Sequence, residues 1–138
     1  MKAKIRHFLI YGAAGWIMEI AFTGIGSILR GDPRLTGWTY LWMFPIYGSA
    51  VMLEPVHDMI RHVPLWIRGI FWAGVIIAVE YLSGFTIRTL VGVCPWDYGK
   101  SAFAVDGLIR LDYVPFWYVV GLLFERLHDL LDRVEARK

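Results

Sequence analysis

The chain's chemistry is concentrated in two copies of one short pattern. Glu54-Pro55-Val56-His57-Asp58 returns as Glu125-Arg126-Leu127-His128-Asp129, and two further glutamates, Glu19 and Glu80, stand alone inside apolar runs. The order is Glu, Glu-x-x-His, Glu, Glu-x-x-His. On a helix the i, i+3 spacing puts the acid and the imidazole on one face. Carboxylates in apolar, membrane-like runs are costly and usually functional. One chemistry open to Glu19, Glu54, Glu80 and Glu125 is therefore the binding of protons or cations by desolvated acids. A second is metal binding: two single glutamates with two Glu-x-x-His pairs are the ligand inventory of dimetal carboxylate bundles. Glu19, Glu54, His57, Glu80, Glu125 and His128 would then hold iron, manganese or zinc in a membrane metalloprotein, with oxidoreductase chemistry as one outcome. Against this, Pro55 lies inside one motif. Glu125 and His128 also lie at the polar end of their run while Glu19 is central, a separation of about 6–10 Å at ~1.5 Å per residue. A third reading is structural: each glutamate satisfies a neighbour such as Arg88, an indole N–H or a free carbonyl, in a non-catalytic assembly protein.

The elements that would position these residues read as membrane spans. Of 138 residues 57% are apolar and only 19% charged, well above the apolar share of soluble domains. Seven Trp, seven Tyr and eight Phe suit a chain with two membrane interfaces to mark. A net charge of +2 without a basic stripe argues against nucleic acid as a partner. Cys94 is the single cysteine, which excludes an intrachain disulfide and a Cys-rich metal site.

Four spans are expected in a single transmembrane domain over residues 1–138, at about 8–29, 40–60, 65–91 and 113–131. Gly12, Gly15, Glu19 and Thr23 share one face of the first, where small residues admit a neighbouring helix. The first run continues too far past Gly12-Ala13-Ala14-Gly15 to be a cleaved signal peptide. Pro45, Gly48 and Pro55 should bend or unwind the second span near Glu54 and His57. Residues 92–112 are too polar to span and form an outer-side loop containing Cys94-Pro95-Trp96-Asp97-Tyr98. Trp96, Asp97 and Tyr98 read as a cap on the bundle, or else as a lid over the Glu19 and Glu80 level. Cys94 has Asp97 and Tyr98 nearby but no histidine, and reads as an inert thiol. His7 and His62, near charged ends, read as solvated, and Glu125, Asp129 and Asp58 read as interfacial.

The two halves align. Glu19 maps to Glu80 at an offset of 61, Pro45 to Pro115 at 70, and Glu54, His57 and Asp58 to Glu125, His128 and Asp129 at 71. Two repeated helical hairpins of one orientation follow, related by a pseudo-two-fold axis along the membrane normal. Nine basic residues on one side against five on the other place both termini in the cytoplasm of a multi-pass cell-membrane protein.

Tyr11-Gly12, Gly15-Trp16, Glu19, Pro45-Ile46-Tyr47-Gly48, Cys94-Pro95-Trp96-Asp97-Tyr98 and Gly107-Leu108-Ile109 occur in that order. Together they make the chain resemble, over nearly its whole length, the CmpB-like ABC-transporter type IV family, which is similar to the vertebrate transmembrane protein 229 group. The resemblance implies a small multi-span integral membrane protein, and no Walker motif of an ATPase is present. The expectation is an all-α, four-span bundle acting as a permease-like, transport-related component. No catalytic residue is assigned, and no cofactor is expected outside the metal reading. Its partners would be the lipid bilayer and, since four spans are few for a carrier, a homo-oligomer or a larger membrane protein.

Overall fold

A computed structural model describes residues 2–137, which are mostly helical. α1 (Lys2–Leu29) is an unbroken apolar helix without proline. It stops at Gly31, which takes a left-handed φ of 78°, while Asp32 N–H reaches back to Ser27 O at 2.9 Å, so that the last carbonyls are satisfied. The second apolar run is broken, as its prolines require. α2 (Met43–Gly48) passes into a 3-10 turn over Ser49–Leu53 and then α3 (Glu54–Met59). Pro55 can neither donate a backbone hydrogen bond nor tolerate the carbonyl one turn earlier at helical distance, and the preceding turn tightens instead.

α4 (Leu65–Val91) begins after Pro64 and ends at Gly92, whose φ of 89° closes the helix with an N–H to Arg88 O. α5 (Val114–Glu135) carries Pro115 in its first turn, where the missing N–H costs nothing. Between them lies a feature the sequence reading did not contain. β1 (Ala104–Val105) and β2 (Ile109–Arg110) pair antiparallel around Asp106-Gly107. Both turn residues have positive φ, at 54° and 70°, as this kind of hairpin turn requires.

Among the described residues, α1 and α4 are long and apolar enough to cross a membrane. The second run is too fragmented to meet that description, and α5 carries Glu125, Arg126, Asp129, Asp132 and Arg133. The outward faces of the two long helices are apolar as well: Ile17, Ile25 and Ile28 on α1, and Ile70, Leu82 and Leu90 on α4, are all exposed. A helix apolar on its exposed side presents a face suited to lipid or to another apolar surface.

The chain divides into two compact units, one up to Glu54 and one from Pro55 onward. In the first, α1 packs on α2 by seating rings over glycines. A Cβ on Gly48 would come within 2.7 Å of the Phe8 ring, and one on Gly15 would enter the Tyr47 ring. In the second, α4 and α5 do the same with Tyr118 over Gly69 and Trp72 over Gly121. Such close approach is how membrane helices gain packing where burial against lipid contributes little.

Candidate functional site

In the first unit a polar stripe on α1, Trp16, Glu19, Thr23 and Ser27, lies at helical spacing and holds the irregular stretch 35–40 against the helix. Ser27 Oγ donates to Thr36 O at 2.6 Å, Thr23 Oγ1 to Trp38 O at 2.9 Å, and Trp16 Nε1 to Tyr40 O at 3.0 Å. Backbone that runs beside a helix in an apolar setting needs such donors and acceptors. Gly37 lets the stretch come close, since a Cβ there would collide with Ile20 O.

Glu19 sits in this arrangement. Its Oε2 accepts from Thr39 Oγ1 at 2.6 Å and its Oε1 from the Tyr47 hydroxyl at 3.0 Å. Among the described residues no basic side chain pairs with it. Glu54 is held differently, with His7 Nδ1 2.6 Å from its Oε1 and the Tyr11 hydroxyl donating to the same oxygen at 3.0 Å. His7 is only 4% exposed, so the expectation of a solvated histidine is corrected. It stands one turn before Tyr11 on the inner face of α1, and the charge of its neighbours hid that register.

In the second unit Glu125 is held by an arginine and a tryptophan on α4. Arg68 grips both its oxygens at 3.0–3.2 Å, and Trp72 Nε1 donates to Oε1 at 2.7 Å. The carboxylate is buried, not interfacial: although near the polar end of α5, it faces α4, whose guanidinium replaces the lost water. Asp129 is likewise largely buried, bonded by Arg61 and with His57 Nε2 at 3.2 Å from its Oδ1. Asp58 is exposed.

His57 and His128 meet edge to face with ring centroids 4.6 Å apart. His57 Nδ1 lies 3.6 Å from Glu125 Oε1, and His128 Nε2 lies 3.4 Å from Asp58 Oδ1 and from Asp132 Oδ2. The donor atoms of His57, Asp58 and His128 fall within 4.8 Å of one another.

Glu80, mid-way along α4, is buried and accepts from the Tyr98 hydroxyl at 2.5 Å. The loop that delivers Tyr98 is braced by Trp96, whose Nε1 donates to Leu108 O at 3.0 Å, and by Asp97, whose Oδ1 accepts from Gly99 N–H at 2.8 Å. Arg88 donates to Asp106 O and, among the described residues, not to a glutamate. Cys94 is half-buried in the same loop, and burial pushes its thiol above the ordinary range. The acids and histidines were marked by type and spacing. Their partners Thr39, Tyr47, His7, Tyr11, Arg68 and Trp72 were not, although an Arg or Trp one or two turns into an apolar run is a readable hint of a buried acid opposite.

The described residues are mostly helical, with two apolar helices long enough to cross a membrane, each carrying one glutamate that accepts from tyrosine. Residues 6–135 match the family model described as "Putative ABC-transporter type IV", and the chain belongs to that family, ABC_trans_CmpB. No solved structure matches it.

Proposed function

We propose that the protein is a transport-related membrane component in which Glu19 and Glu80 bind a proton or a cation. The observation that carries this is Glu19. Its carboxylate lies in an apolar helix and is held by Thr39 and Tyr47 hydroxyls, with no basic partner among the described residues. An acid so placed reaches neutrality only by taking a proton or a cation from outside its own fold. Glu54 and Glu125 carry a histidine and an arginine against them and act as structural fasteners.

The two units support a duplicated origin. His7 and Tyr11 on Glu54 correspond to Arg68 and Trp72 on Glu125, with both helix residues moved by 61 positions and the acid by 71. The same offset carries Glu19 to Glu80. On this reading the chain is a pair of repeated hairpins that crosses the bilayer four times with both termini cytoplasmic. A second copy or a larger partner completes the pathway.

The test is flux in proteoliposomes, with a pH-sensitive dye for protons and isotopic tracers for monovalent and divalent cations. Glu19→Gln and Glu80→Gln should each cut the active flux at least about tenfold. Flux that survives both substitutions would leave Glu19 and Glu80 as packing groups.

A further inference from the structure

We propose that His57, His128 and Asp58 form a binding site for one divalent transition-metal ion, with Asp129 completing the set. It uses none of the residues on which the transport reading rests, so either can fail alone. The site is built from both copies of the motif: each histidine reaches the aspartate of the other copy, His57 to Asp129 and His128 to Asp58.

The first argument is proton bookkeeping on His57, which is 4% exposed. Its Nε2 faces the Asp129 carboxylate at 3.2 Å and its Nδ1 faces Glu125 at 3.6 Å, with no hydrogen bond satisfying Nδ1. A neutral imidazole has one N–H and one lone pair. With an ion bound, the proton moves to Nδ1, the nitrogen that faces Glu125, and the Nε2 lone pair meets the ion that Asp129 shares. Metal-binding histidines commonly present their far nitrogen to a carboxylate while the near one ligates, and Glu125 is placed for that role by a shift of a few tenths of an ångström.

The second argument is charge. Asp58, Asp129, Asp132 and Glu125 contact the two rings, while Arg61 and Arg68 are the guanidiniums bound to those acids. Among these contacts of the described residues, four carboxylates against two guanidiniums leave two negative charges when both imidazoles are neutral. Two imidazolium ions with centroids 4.6 Å apart would repel each other. One divalent cation supplies the same charge without that repulsion.

The third argument is geometry. Tetrahedral ligands at roughly 2.1 Å from zinc are about 3.4 Å apart. His128 Nε2 and Asp58 Oδ1 stand at 3.4 Å, the ligand atoms of His57, Asp58 and His128 lie within 4.8 Å of one another, and Asp129 Oδ1 is 3.2 Å from His57 Nε2, spacings that small side-chain rotations close. Two imidazoles with carboxylates select borderline divalent ions such as zinc, ferrous iron or manganese. Asp58 and Asp132 are exposed, which gives the ion an approach from solvent.

The experiment is zinc binding to the full chain, purified in mild detergent without a histidine tag and stripped with chelator. Titration calorimetry and elemental analysis should find one zinc per chain. Cobalt(II) should give the visible absorption of a four-coordinate ion with nitrogen ligands. His128→Gln and Asp58→Asn should each weaken zinc at least about tenfold, while His62→Gln, an exposed histidine outside the cluster, should leave it unchanged. Asp58→Asn alters a mostly exposed side chain, so it keeps the test valid if His128→Gln fails to fold. Absence of stoichiometric zinc and cobalt, or binding that Asp58→Asn leaves intact, would overturn the site.

Discussion

His57 Nε2 stands 3.2 Å from Asp129 Oδ1, the aspartate of the other copy of its own motif. The reciprocal pair, His128 Nε2 and Asp58 Oδ1, is at 3.4 Å. The two pairs differ in burial, and that difference sets a measurable asymmetry. Asp129 is 13% exposed and also bonded by Arg61, whereas Asp58 is 63% exposed. Without metal the His57 proton sits on Nε2 and is donated to Asp129, so Asp129→Ala strands a buried ring and should cost about 1–2 kcal/mol. Asp58→Ala should stay within about 0.5 kcal/mol. Thermal melting of the two variants in one detergent, without added metal, reads the gap, and equal losses would contradict the burial argument.

The Glu125 cluster makes a sharper demand. Removing Arg68 leaves a buried carboxylate with only Trp72 donating to it, and Arg68→Ala should destabilise by about 3–5 kcal/mol. The Arg68→Ala, Glu125→Ala double variant should be more stable than Arg68→Ala alone, because the unpaired charge is gone. Arg68→Lys should rescue little, since a point-like ammonium cannot reproduce the two-oxygen grip. Chemical unfolding of the wild type, Arg68→Ala, Glu125→Ala and the double variant as a double-mutant cycle measures the coupling.

These pairings mark where sequence reasoning reached its limit. The helix α4 covers the third apolar run, 65–91, because Pro64 and Gly92 bound it with unambiguous backbone chemistry. The first extends further toward the N-terminus than 8–29, since nothing in Lys2–His7 breaks a helix and His7 gains a buried partner. The bend near Pro55 was legible for the same local reason. The course of residues 35–40 along α1 was not, because it depends on four side chains of a distant segment acting together. Nor was the burial of Glu125: its run looks amphipathic on its own, and only the guanidinium on α4 makes burial affordable.

Glycine seats offer a packing test. A Cβ on Gly121 would collide with Trp72 Cβ, which is tied to its own backbone and cannot swing away. Gly121→Ala should therefore cost about 1–3 kcal/mol and disturb the Trp72 to Glu125 bond, visible as a shift in Trp fluorescence. Gly74 on α4 has nothing within 4 Å of such a Cβ. Gly74→Ala should stabilise by about 0.4–1 kcal/mol through the unfolded chain. A neutral Gly121→Ala would show that α4 and α5 can separate at low cost.

The loop between α4 and α5 supplies a pH test outside the long helices. Arg110 donates to both oxygens of Asp112, at 3.0 and 2.5 Å, and this holds the Asp112 carboxyl below its ordinary value. A carboxyl depressed in the folded state binds fewer protons there than in the unfolded chain, so its contribution is complete above the ordinary carboxylate pKa near 3.9. That contribution is lost as pH falls from there through the depressed folded value. Asp112→Asn should flatten the acid limb of the melting curve while leaving stability at pH 7 nearly unchanged, as an exposed pair contributes little. In the wild type the Asp112 carboxyl carbon, followed by NMR, should titrate below the ordinary range, and Arg110→Gln should return it there. If the carbon titrates normally in the wild type, the Arg110 fork is not closed in solution.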